Sequence, residues 1–167
     1  MTLDPILYAP LVIQLHVAAA LPALLLGPVA LFRSRRDRWH RRLGYAWVVS
    51  MLVLAISGFF IPARFALVGP FGPIHLLCPL AIWGVLDGVR LIRRGDVRGH
   101  RIAMQSVWFG AVGVTGLLTL LPGRGLNHVF FGETPKVAFA VIGLGLVALA
   151  WLWRRRPRAP RDRQITP

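Results

Sequence analysis

The chain has 167 residues, 56% hydrophobic and only 16% charged, yet its formal net charge is +14. Average soluble proteins carry about 25% charged residues, so this balance excludes a soluble enzyme domain and a disordered chain, and the single cysteine, Cys78, excludes an internal disulfide framework. The basic residues punctuate apolar runs and do not cluster with polar and aromatic readers, which excludes a nucleic-acid-binding face.

In chain order, Met1–Leu7 holds no basic residue and so lacks the charged start of a signal peptide. The first apolar run is therefore read as retained, although Ala18-Ala19-Ala20 mimics a cleavage site. Five apolar runs follow, at about Pro10–Phe32, Leu43–Pro62, Pro70–Ile92, Ile102–Pro122 and Val137–Trp153. Each is long enough to cross ~30 Å of hydrocarbon at 1.5 Å per residue. In lipid the backbone must bond to itself, so each run is expected to be a helix. The expected fold is an all-α integral membrane domain over residues 1–153.

The connectors set the orientation. The first holds Arg33, Arg35, Arg36, Arg38, Arg41 and Arg42, and the third holds Arg90, Arg93, Arg94, Arg98 and Arg101. The tail adds Arg154, Arg155, Arg156, Arg158, Arg161 and Arg163, leaving only Arg64, Arg124 and Lys136 for the other side. By the positive-inside rule the N-terminus lies outside and the C-terminus in the cytoplasm of a bacterial inner membrane. Residues 154–167 read as a basic, disordered cytoplasmic tail in contact with anionic headgroups.

A shift of 60 residues aligns the rare positions. Pro10 meets Pro70, Arg33 meets Arg93, and Arg38-x-His40-Arg41 meets Arg98-x-His100-Arg101. Pro62-x-Arg64 meets Pro122-x-Arg124, and His16 falls one residue from His75. The expected architecture is thus a pseudo-symmetric four-helix transmembrane bundle of two repeated hairpins, residues 10–64 and 70–124, plus a fifth transmembrane helix.

The repeat arranges four histidines in two layers. In an up-down bundle the first and third spans are diagonal, as are the second and fourth. His16 then faces His75 near the outside, and His40 faces His100 near the cytoplasm. Two facing imidazoles are what a six-coordinate haem b requires. Small residues at Ala20, Ala23 and Gly27 leave room beside His16, and Arg41 and Arg101 are placed to hold propionates. The competing explanation is that the small residues serve close helix packing and the histidines meet headgroups, helix ends or backbone carbonyls. Asp87 is expected to pair with Arg90 at i+3. Cys78 shares the face of His75. With His16 and His75, His128 and Glu133 offer donors for zinc or copper, at a spacing that is not diagnostic. Gly84-xxx-Gly88 and the Gly110, Gly113, Gly116 series read as packing surfaces. No nucleophile, phosphate-binding or dinucleotide motif is present.

His16, Gly27-Pro28, His40-Arg41-Arg42-Leu43-Gly44-Tyr45, Arg94-Gly95-Asp96, His100-Arg101-x-x-Met104 and Thr119-x-x-Pro122-Gly123-Arg124 carry a family likeness. On these motifs the chain resembles domain-of-unknown-function family 2306, predicted bacterial multi-pass membrane proteins. The resemblance implies an inner-membrane protein and no settled activity. The histidine layers add the specific expectation: a bis-His haem b cytochrome passing electrons across the membrane, with a quinol or other redox partner. The alternatives are a non-enzymatic accessory or interaction protein and, with only Asp87 and the repeat to support it, a small-solute or proton transporter.

Overall fold

A computed structural model describes residues 4–33, 35–63, 66–132 and 134–156. Among these the chain is helical apart from its connections and one isolated bridge between Val68 and Phe71. A short α1, Asp4–Leu7, precedes α2, Leu11–Phe32, and α3, Arg38–Phe59. A 3₁₀ turn, Pro73–Leu76, leads into α4, Leu77–Arg93. Then come α5, Val97–Val107, a π-helical segment, Trp108–Val114, and α6, Thr115–Leu118. Two helices close the chain, α7, Gly125–Phe131, and α8, Val137–Arg155.

Four helical stretches are long and apolar enough to cross a membrane: Leu11–Phe32, Arg38–Phe59, Pro73–Arg93 and Val137–Arg155. The run expected at Ile102–Pro122 departs from a plain span. It is helical from Val97 to Leu118, but the π segment divides it into shorter α pieces. A π turn admits an extra residue into the helical ladder, and here it turns Trp108, Phe109, Val112 and Gly113 into the core.

Helix directions alternate, as three registers show. Trp47 Nε1 donates to the Ala23 carbonyl at 2.9 Å, while His16 lies beside Ser57, so α2 and α3 are antiparallel. Gly88 takes Met104 and Gly84 takes Val107, so α4 and α5 are antiparallel. Gly145 abuts Leu117, Gly113 abuts Leu149 and Phe109 meets Trp153 edge-on with ring centroids 5.0 Å apart, so α8 runs against the π-bearing helix. Arg33–Arg42, Arg90–Arg101 and Arg154–Arg156 therefore gather at one end of the bundle, the basic end.

The core fills the centre with Ala23, Trp47, Met51, Val85, Met104, Val107, Trp108 and Phe109. Large apolar side chains such as Leu25, Trp83, Leu86 and Leu144 cover the outside. That inversion of the usual surface suits a hydrocarbon solvent. Arg64, Glu133 and the tail arginines Arg158, Arg161 and Arg163 lie outside the described residues.

Candidate functional site

The four histidines sit at two levels, and each level has its own hydrogen-bond logic. At the basic end, Asp37 caps α3 by accepting the His40 backbone N–H at 3.0 Å. Asp96 caps α5 in the same way, accepting Gly99 N–H at 2.7 Å. These caps satisfy otherwise unpaired first-turn donors and start both helices just ahead of their His-Arg pairs. Arg33 Nε donates to Asp37 Oδ1 at 3.1 Å, and its guanidinium closes an ion pair with the same carboxylate. The Arg33 hydrogen bond, then the His40 N–H, hold Asp37 well below the usual carboxylate range.

His100 Nδ1–H donates to the Gly88 carbonyl across the α4–α5 seam at 2.8 Å. This fixes the tautomer and leaves Nε2 with a free lone pair. The buried Nδ1 of His40 has no hydrogen-bond partner among the described residues. Both histidines begin their helices at the same basic end of the bundle. Arg41 is exposed beside them and Arg101 is half-buried.

The far level is arranged differently. Ser57 gives its hydroxyl hydrogen to the Val53 carbonyl at 2.6 Å, so its oxygen accepts from His16 Nδ1–H at 3.1 Å. Gly58 makes the space: a Cβ there would lie 3.0 Å from His16 Cε1 and 3.5 Å from Cys78 Sγ. His75 is buried, accepts Gly72 N–H at Nδ1 (3.2 Å) and donates Nε2–H to the Ile61 carbonyl (3.1 Å). Phe59 and Phe71 meet its ring edge-on. Both His75 nitrogens are therefore engaged within the chain, and His16 turns to Ser57.

The space expected beside His16 is also occupied. The indole of Trp108 lies on Gly27 and that of Trp47 bonds the Ala23 carbonyl. The Asp87–Arg90 pair expected along α4 is not made; the salt bridge found among the described residues is Arg33–Asp37. His128 is exposed on α7, and among the described residues no three His, Cys, Asp or Glu groups converge on a metal position.

Sequence reasoning missed two residues that shape this region. Ser57 receives His16, with only its helical alignment to signal it. Asn127 is fully buried and ties the α6–α8 connection, donating to the Leu120 carbonyl at 2.8 Å and the Pro135 carbonyl at 3.2 Å. Nothing in its local sequence sets it apart from a solvated loop asparagine.

Apolar helices with an apolar exterior and histidines held between them define a multi-pass helical membrane protein. The chain belongs to the family described as "Predicted membrane protein (DUF2306)", whose model matches residues 13–154. No curated protein and no solved structure matches it.

Proposed function

We propose that this protein is an electron carrier of the bacterial inner membrane, and that His40 and His100 at the basic end hold haem b. The observation that carries this reading is the state of the two rings. His100 is held by Gly88 through Nδ1, which leaves the Nε2 lone pair for a ligand, and the buried Nδ1 of His40 has no partner among the described residues. A backbone acceptor on the remote nitrogen is the usual way a protein orients an imidazole ligand. The residues present fit the group at this level. They do not fit it at the far level, where His75 has no free nitrogen, so the proposal is for one centre. Arg41 and Arg101 then serve as propionate partners, and the haem, when bound, supplies one-electron redox chemistry. The N-terminus lies outside, the basic end faces the cytoplasm, and Val97–Leu118 crosses as a fifth span.

The test is a reduced-minus-oxidised absorbance spectrum of protein purified in mild detergent after expression with ample haem. Haem bands are expected, lost in His100→Ala and in His40→Ala, and kept in His75→Gln. A spectrum without haem bands overturns the reading.

A second reading has its own observation. The bonds of His16, His75 and His100 each tie one helix or turn to another, as Trp47 does. On that reading the protein is a non-enzymatic accessory or interaction subunit, and the histidines are staples. His100→Ala then loosens the α4–α5 pair without changing any spectrum.

A further inference from the structure

Two cavities at the end opposite the basic end adjoin each other at Phe59 and Phe60. The first, about 170 Å³, is lined by Phe59, Phe60, Ile61, Pro62, Phe71 and His75 among others. The second, about 260 Å³, is lined by Ile56, Phe59, Phe60, Pro79 and Ile82. Together they fall within the roughly 300–1,000 Å³ of small-molecule sites. Their chemistry is graded. The first has aromatic walls, Phe59 and Phe71 with centroids 5.2 Å apart, and a polar corner where His75 meets the Ile61 carbonyl. The second is apolar and opens outward along the α3–α4 seam, where Ile56 and Phe60 are exposed.

We infer that this paired cavity binds a membrane quinone or quinol: a polar aromatic-sized ring in the first chamber and the start of an isoprenoid chain in the second. The ring packs against Phe59 and Phe71. The Ile61 carbonyl accepts one bond from His75 and keeps a second lone pair for a quinol hydroxyl. The chain runs out along Pro79 and Ile82 to the surrounding acyl phase, which suits a ligand that arrives laterally from the bilayer. A phospholipid fits less well, because among the described residues no basic side chain lines either chamber to meet its phosphate. The inference names the redox partner of the electron-carrier reading, but the binding does not depend on haem.

The experiment is therefore run on haem-free protein in nanodiscs, titrated with decylubiquinone and read by quenching of tryptophan fluorescence. Saturable binding is expected, and decanol, which has the chain and no ring, should displace the quinone only at concentrations at least tenfold higher. Ile82→Trp enlarges a half-buried side chain of the second chamber's lining and is expected to weaken binding at least tenfold. Phe71→Ala removes a ring wall and should do the same, while Leu144→Ala on α8 leaves it unchanged. Displacement by decanol at equal concentration, or binding indifferent to both Ile82→Trp and Phe71→Ala, overturns the inference. A missing haem spectrum with intact decylubiquinone binding sinks only the electron-carrier reading, and the reverse result sinks only this one.

Discussion

Single residues decide which histidine is available for chemistry and which is committed to the fold. His75 is enclosed by its own chain: a backbone donor, a backbone acceptor and two aromatic edges. Replacing it with Gln is expected to preserve the helical circular-dichroism spectrum, because an amide also donates and accepts. His75→Leu strands the Gly72 N–H and lowers stability by about 1–3 kcal/mol, the cost of an unsatisfied buried group; detergent-solubilised thermal melts check this. Asp37 provides the pH dependence. Its folded pKa is depressed below the ordinary 3.8 by Arg33 and the His40 N–H. The contribution of a group of that kind is present in full above the unfolded value and is lost as pH falls from there through the lowered folded one. Amide exchange at His40, measured relative to its intrinsic rate at each pH, is therefore expected to stay slow from pH 7 to pH 5 and to accelerate only in strong acid. In Asp37→Ala it is already fast at pH 7.

At the scale of elements, helix contacts turn on glycines facing large side chains. A Cβ at Gly27 would collide with the Trp108 indole, so Gly27→Ala must push α2 off the π segment. Overpacking of this kind costs about 1–3 kcal/mol, measurable as a lowered melting temperature. Gly116, on α6, has nothing within 4 Å of its notional Cβ, so Gly116→Ala is expected to stabilise by up to ~1 kcal/mol through helix propensity. The same contrast explains what the sequence reveals. Apolar length alone places four spans to within a few residues, because twenty apolar residues in lipid have no other way to satisfy their backbone. The start of α3 is misjudged, at Leu43 and not Arg38, because arginines read as connector while Asp37 caps the helix ahead of them. The π segment is not legible, since Trp108–Val114 has the composition of any apolar helix and the side chains it meets on α2 and α8 are distant in sequence. At the candidate site, the sequence places His40 and His100 at the starts of α3 and α5, as the structure does. The engagement of His75 depends on a 14-residue return to Ile61 that no local spacing encodes.

For the whole molecule the deciding property is charge asymmetry. Antiparallel registers from α2 to α8 place Arg33–Arg42, Arg90–Arg101 and Arg154–Arg156 at one end. Along the connection between α6 and α8 only Arg124 and Lys136 are basic. Moving arginine clusters outward opposes both the insertion bias and the membrane potential, whereas two scattered cations are tolerated. The basic end is therefore expected in the cytoplasm, and because three clusters agree, neutralising one of them should not invert the chain. A reporter active only in the periplasm, fused after Arg163, should be silent. The matching insertion belongs at Thr134: α7 is unsuitable, because Asn127 and Val129 are buried and Asn127 holds both sides of the connection together. At Thr134, which is exposed, the reporter should be active. If Val97–Leu118 failed to cross because of its π segment, Thr134 would stay on the cytoplasmic side and α8 would still separate the two fusions, leaving Thr134 silent and Arg163 active. If the orientation were reversed, the silent and active fusions would exchange, placing the His40–His100 level outside and the Phe59–Phe71 cavity inside.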